Sequence, residues 1–200
     1  MTFEDPFDIE NSADMEFKVV LVGDGYVGKT SIINRFYSDH FSTNEPPTIA
    51  ASFLPIAMNK NGKRVVLNIW DTAGHEKFHC LVPLYARAAN TLIVVFDLTN
   101  EMTFENAKEW YTKTILDVGQ IPVCILCGNK LDLMPDANTT KYEDWAKAHN
   151  CLFITTSAAN GTNVQEMFKT ITEKLTAIEM EKQAKIKITV EPEQKKACAC

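Results

Sequence analysis

Apolar residues gather in five short runs, FKVVLVG (17–23), RVVLNIWD (64–71), TLIVVFDLT (91–99), IPVCILCG (121–128) and CLFITTSA (151–158). Each is short, rich in β-branched residues and bounded by polar or turn residues, which reads as a buried strand. Helical spacing of apolar positions covers Gly28 to Tyr37, Thr103 to Asp117 and Asn163 to Ile178. Strands alternating with helices predict an α/β fold, its sheet mostly parallel with helices on both faces. Asn61-Gly62 sits between two strand patterns and favours a tight hairpin, so a sixth strand joins as an antiparallel edge. Residues 1–15 and 179–200 lack periodicity and contain Pro6 and Pro192, so they read as flexible tails around one domain, 16–178.

Composition narrows the classes. The chain has 200 residues, 46% hydrophobic and 23% charged, and a domain of ~150 residues can bury roughly 70% of its unfolded surface around one core. A net charge of -6 lacks the basic footprint that nucleic acid requires, so no nucleic-acid partner is expected. No apolar run reaches the ~18 residues of a membrane span. The acidic start has no signal-peptide pattern, and the cytosol is expected. Six cysteines then read as free thiols. Cys124 and Cys127 form a CxxC, but residues three apart on a strand face opposite ways and cannot readily share a metal or a disulfide.

In an open α/β sheet, ligands bind at the carboxyl ends of the strands. After the first run comes GDGYVGKTS, Gly23 to Ser31, which fits GxxxxGK(S/T). The backbone of Asp24, Gly25, Tyr26, Val27 and Gly28 can wrap phosphate oxygens at a helix N-terminus. Lys29 would reach the β and γ phosphates, and Thr30, followed by Ser31, would ligate Mg2+. Asp71, ending the next run, can reach the same Mg2+, and Gly74 can offer its N–H to a γ-phosphate. GNKLD places Asn129, Lys130 and Asp132 at another strand end. A carboxylate there accepts the paired N–H donors of guanine, which adenine lacks, while Asn129 addresses the other edge and Lys130 covers the ring. TTSAANG sets Ser157 and Ala158 after the last run, with the Ala158 N–H aimed at guanine O6.

The ordered set GDGYVGKT, PPT, WDTAGHE, NKLD and TSA resembles a Ras-superfamily small GTPase over residues 16–178, and its Trp70, TIAASF and FHCLVPLYARAANTLIVVFDLT segments are similar to the endocytic Rabs. The resemblance implies a P-loop G domain that binds GTP and GDP with Mg2+ and works as a monomeric, GTP-hydrolysing switch in vesicle or endosomal traffic. It assigns Phe41 to guanine stacking and Thr48 to a second Mg2+ contact made only with GTP. Phe53, Trp70 and Tyr85 would form the aromatic triad read by effectors. It also implies an exchange factor, a GTPase-activating protein and a GDP-dissociation inhibitor. The ending ACAC resembles a doubly prenylated Cys-x-Cys, with Cys198 and Cys200 anchoring the protein to the cytoplasmic face of membranes.

Two positions depart from the family pattern. His75 stands where Gln is usual, and Ala159 where Lys is usual. Gly25 leaves room for an arginine finger, while Tyr26 is bulky beside it. An imidazole carries donor and acceptor on separate ring nitrogens, so His75 should position a water poorly and slow hydrolysis; general-base work is the alternative. A GTP-holding, membrane-anchored scaffold is therefore a second reading. A P-loop kinase is a third, opposed by NKLD and by the lack of an arginine-bearing lid.

Overall fold

The computed structural model describes residues 3–4, 15–49, 51–60, 62–75 and 80–190, with side chains given between 15 and 185. Six strands carry the sheet: β2 (Met15–Val22), β3 (Ala51–Lys60), β4 (Lys63–Thr72), β5 (Thr91–Asp97), β6 (Val123–Asn129) and β7 (Leu152–Thr155). A two-residue strand, β1 (Phe3–Glu4), adds antiparallel to β3 opposite Ala57 and Met58. The order is β1-β3-β4-β2-β5-β6-β7. Every pair from β4 to β7 is parallel, while β3 and β4 pair antiparallel, with Lys60 opposite Lys63. This is the expected mostly parallel sheet with its antiparallel edge. Of the hairpin pair Asn61-Gly62, Asn61 lies outside the described residues; Gly62 turns at φ 76°.

The helices are α1 (Lys29–Ser38), α2 (Val82–Ala86), α3 (Glu101–Val118), α4 (Thr140–Ala148) and α5 (Val164–Val190). The sequence pattern locates α1, α3 and α5. It does not locate α2 or α4, whose buried residues are only Val82 and Ala86, and Tyr142 and Ala146, too few to write a periodic stripe. Helix α5 continues to Val190, beyond the 178 boundary drawn from sequence, and β1 lies inside the segment read as an N-terminal tail.

Alternation along β2 divides the core. Phe17, Val19 and Leu21 pack with α1 and α5, where the rings of Phe36 and Phe168 stack at 3.9 Å. Val20 and Val22 face α3 and α4 across the sheet. Cys124 and Cys127 fall into opposite cores, as the spacing requires, and Cys124, Cys127 and Cys151 are free thiols. No described helix is long and apolar enough to cross a membrane. Sandwiching the sheet this way leaves its carboxyl edge open, and the loops after β2, β4, β6 and β7 meet there.

Candidate functional site

Those loops surround one cavity of 990 Å³. One end is lined by Asp24, Gly25, Tyr26, Gly28, Lys29 and Thr30, and an adjoining wall by Thr48, Gly74 and His75. At the other end lie Ser31, Phe41, Asn129, Lys130, Asp132 and Ala158. Three expected residues lie outside the lining. Val27 is packed in the core, Ser157 is buried behind Asp132, and Asp71 is buried behind Thr30.

The phosphate-loop end is built by close backbone contacts. Gly28 caps α1 in the left-handed region (φ 96°), and a Cβ there would stand 2.4 Å from Asn129 Nδ2, so a side chain has neither the conformation nor the space. Lys29 is 6% exposed. Its ammonium donates to the carbonyls of Gly23 (2.8 Å) and Asp24 (2.7 Å). Burial pulls its pKa down to about 8, against the charges of Asp71 and Asp24, which raise it.

Beside it, hard oxygen donors converge. Thr30 Oγ1 donates to Asp71 Oδ2 at 2.6 Å and lies 2.8 Å from Thr48 Oγ1, which reaches Asp71 Oδ2 at 3.3 Å. Asp71 Oδ1 is buried without a hydrogen-bond partner among the described residues. Burial pushes the Asp71 carboxyl up, while Thr30, Lys29 and Thr48 pull it down. A buried, underused carboxylate beside two hydroxyls is a fitting donor set for Mg2+.

Across the cavity, Ser157 Oγ donates to Asp132 Oδ1 at 2.5 Å and orients that carboxylate. Asn129, which lines the cavity, also braces its walls. Its Nδ2 donates to Val27 O at 2.8 Å, and its Oδ1 accepts from Thr156 Oγ1 (3.1 Å) and from Ala158 N (3.2 Å). At 2% exposure it ties the loop after β2 to the loop after β7 and engages the Ala158 N–H expected for guanine O6. Arg35 on α1 adds a brace that sequence did not suggest, donating to the Ala158 and Ala159 carbonyls at 2.8 and 2.7 Å. Lys130 pairs with Asp97 at 2.7 Å.

The aromatic triad is contiguous. Phe53 and Trp70 are register partners on β3 and β4 with ring centroids 5.2 Å apart, and Tyr85 of α2 lies 5.5 Å from Trp70. Phe53 remains half exposed. Residues 50, 76–79 and 191–200, the last including both Cys198 and Cys200, lie outside the described residues.

A model of the Ras family matches residues 18–177. GTP-binding protein YPT53 of Saccharomyces cerevisiae is 40% identical over 169 residues, covering 80% of this chain and 77% of that protein. Ras-related protein Rab-5A of Dictyostelium discoideum is 39% identical over 167 residues (82% and 83%). Human Ras-related protein Rab-21 is 41% identical over 155 residues (76% and 68%). The family model runs through all the loops that meet at the cavity, and the chain belongs to the Ras family of GTPases, in its Rab branch.

Proposed function

We propose that this protein is a Rab-type switch that alternates between GTP and GDP, hydrolyses GTP slowly and regulates vesicle or endosomal membrane traffic. The observation that carries the reading is the meeting, in one cavity, of the buried Lys29 ammonium and the Thr30–Thr48–Asp71 oxygens at one end with the Ser157-oriented Asp132 carboxylate at the other. Phosphates belong at the first end and guanine at the second, where Asp132 accepts the N1–H and 2-amino donors and Phe41 stacks on the ring. Mg2+ would be held by Thr30, Thr48 and Asp71, where it neutralises charge developing on the β and γ phosphates. Gly25, Tyr26 and Gly28 offer backbone N–H groups to the phosphates. Lys29 exchanges its carbonyl partners for phosphate oxygens, and Gly74 N–H bonds the γ-phosphate. His75, exposed on the cavity wall beside Gly74, takes the water-positioning place.

Thr48 and Gly74 make their contacts only while the γ-phosphate is present, so hydrolysis releases both segments and changes the surface around Phe53, Trp70 and Tyr85 that effectors read. Activating protein, exchange factor and GDP-dissociation inhibitor act on the same two states, and prenyl groups on Cys198 and Cys200 hold the active form on membranes. The test begins with the nucleotide carried by purified protein, then compares Asp132→Asn with wild type in competition binding. The amide offers donors where the carboxylate accepted them, so the variant should lose GTP and gain xanthosine triphosphate. A wild-type protein without guanine nucleotide, or a variant with unchanged preference, refutes the assignment.

A further inference from the structure

A carboxylate in a loop that cradles triphosphate raises a physical question, because at short range it repels the ligand. The Asp24 side chain answers it by turning to α3. Its Oδ2 accepts from Asn106 Nδ2 at 2.7 Å and its Oδ1 from Trp110 Nε1 at 2.8 Å. Trp110 is 2% exposed, so its ring is fixed in the core beneath. The backbone of the same residue carries two further contacts: its carbonyl accepts from Lys29 Nζ at 2.7 Å, and it abuts Gly74, whose added Cβ would fall 2.2 Å from Asp24 C. One residue thus joins α3, the phosphate-binding lysine and the segment that meets the γ-phosphate.

We propose that Asn106 and Trp110 are positioning residues that hold the phosphate loop in its nucleotide-retaining shape through the Asp24 carboxylate. The proposal rests on the GTP-binding reading above. Both residues border the same cavity as the phosphate loop, and each acts by fixing Asp24, and so the path of Gly25 and the reach of Lys29. Helix α3 becomes a lever on nucleotide retention, open to any partner that displaces it.

The test measures release of a fluorescent GDP analogue from the full-length protein. Asn106→Asp sets two carboxylates face to face, and release should quicken about tenfold, the scale of one charge-assisted hydrogen bond. The exchanged pair Asp24→Asn with Asn106→Asp rebuilds both bonds, since an asparagine at 24 accepts from Trp110 and donates to the new aspartate. It should recover most of the loss. Trp110→Phe keeps a buried aromatic ring but removes the donor together with the pyrrole half of the indole, and should speed release at least about threefold. A damaged helix would not be repaired by the second substitution, so the rescue separates positioning from mere destabilisation. Wild-type release rates in both Asn106→Asp and Trp110→Phe, or a double variant as fast as Asn106→Asp, overturn the proposal. A wild-type protein that takes up no guanine nucleotide overturns instead the function on which it rests.

Discussion

At the scale of single residues, the proposed slow hydrolysis rests on His75. An amide can receive and donate through one small group, whereas the ring nitrogens of His75 point apart, so in the proposed switch the attacking water is aligned less often. In single-turnover assays His75→Gln should hydrolyse GTP faster than wild type, with little pH dependence in either protein. A slower variant, beside a wild-type rate that climbs through the range where imidazoles titrate, would identify His75 as a general base. For Lys29, burial lowers the pKa from 10.5 to about 8, which amounts to about 3 kcal/mol of destabilisation while the amine is charged in both folded and unfolded chains. The penalty is complete below pH 8 and shrinks as pH rises toward 10.5, because the folded protein then releases its proton first. Denaturant unfolding of nucleotide-free protein should show wild type gaining stability relative to Lys29→Met across that window. A constant difference would refute it. Bound phosphates would offset the same penalty at neutral pH.

Among the elements, the loop after β4 is constrained most tightly. A methyl on Gly74 would stand 2.2 to 2.4 Å from Asp24 C and O and Gly25 N, backbone atoms of the phosphate loop that cannot swing aside. Gly74→Ala must therefore push the two segments apart. The variant should still bind GDP and GTP but lose the difference between them. Amide hydrogen exchange over residues 72–75 and 80–86 measures this: wild type should be better protected with GTP, and the variant should show equal protection in both states. A preserved difference would mean that Gly74 does not transmit the γ-phosphate. Strand β4 also places two members of the triad that the family resemblance assigned, since Trp70 immediately precedes Asp71 and Phe53 is its antiparallel register partner.

For the molecule as a whole, a net charge of -6 opposes adhesion to anionic membranes, so the proposed attachment rests on lipid. Replacing Cys198 and Cys200 together should leave the protein in the soluble fraction with nucleotide binding intact, while a single replacement should anchor weakly, because one chain gives only marginal, reversible binding. Full membrane recovery of the double variant would reject prenylation there. The sequence alone determined the α/β class and the identity of the loops at the sheet edge, because strand runs and helical spacing are written locally and the P-loop, DTAG and NKLD motifs each lie within a few residues; that the sheet divides the one expected core in two came from the structure. Tertiary structure decided what those residues touch. That Asn129 braces Val27, Thr156 and Ala158, that Asp24 faces α3 instead of phosphate, and that Arg35 holds the Ala158 loop depend on partners 27 to 123 positions away. A polar side chain in a sequence declares its donors and acceptors, but folding selects which groups fill them, and burial then makes that selection costly to change.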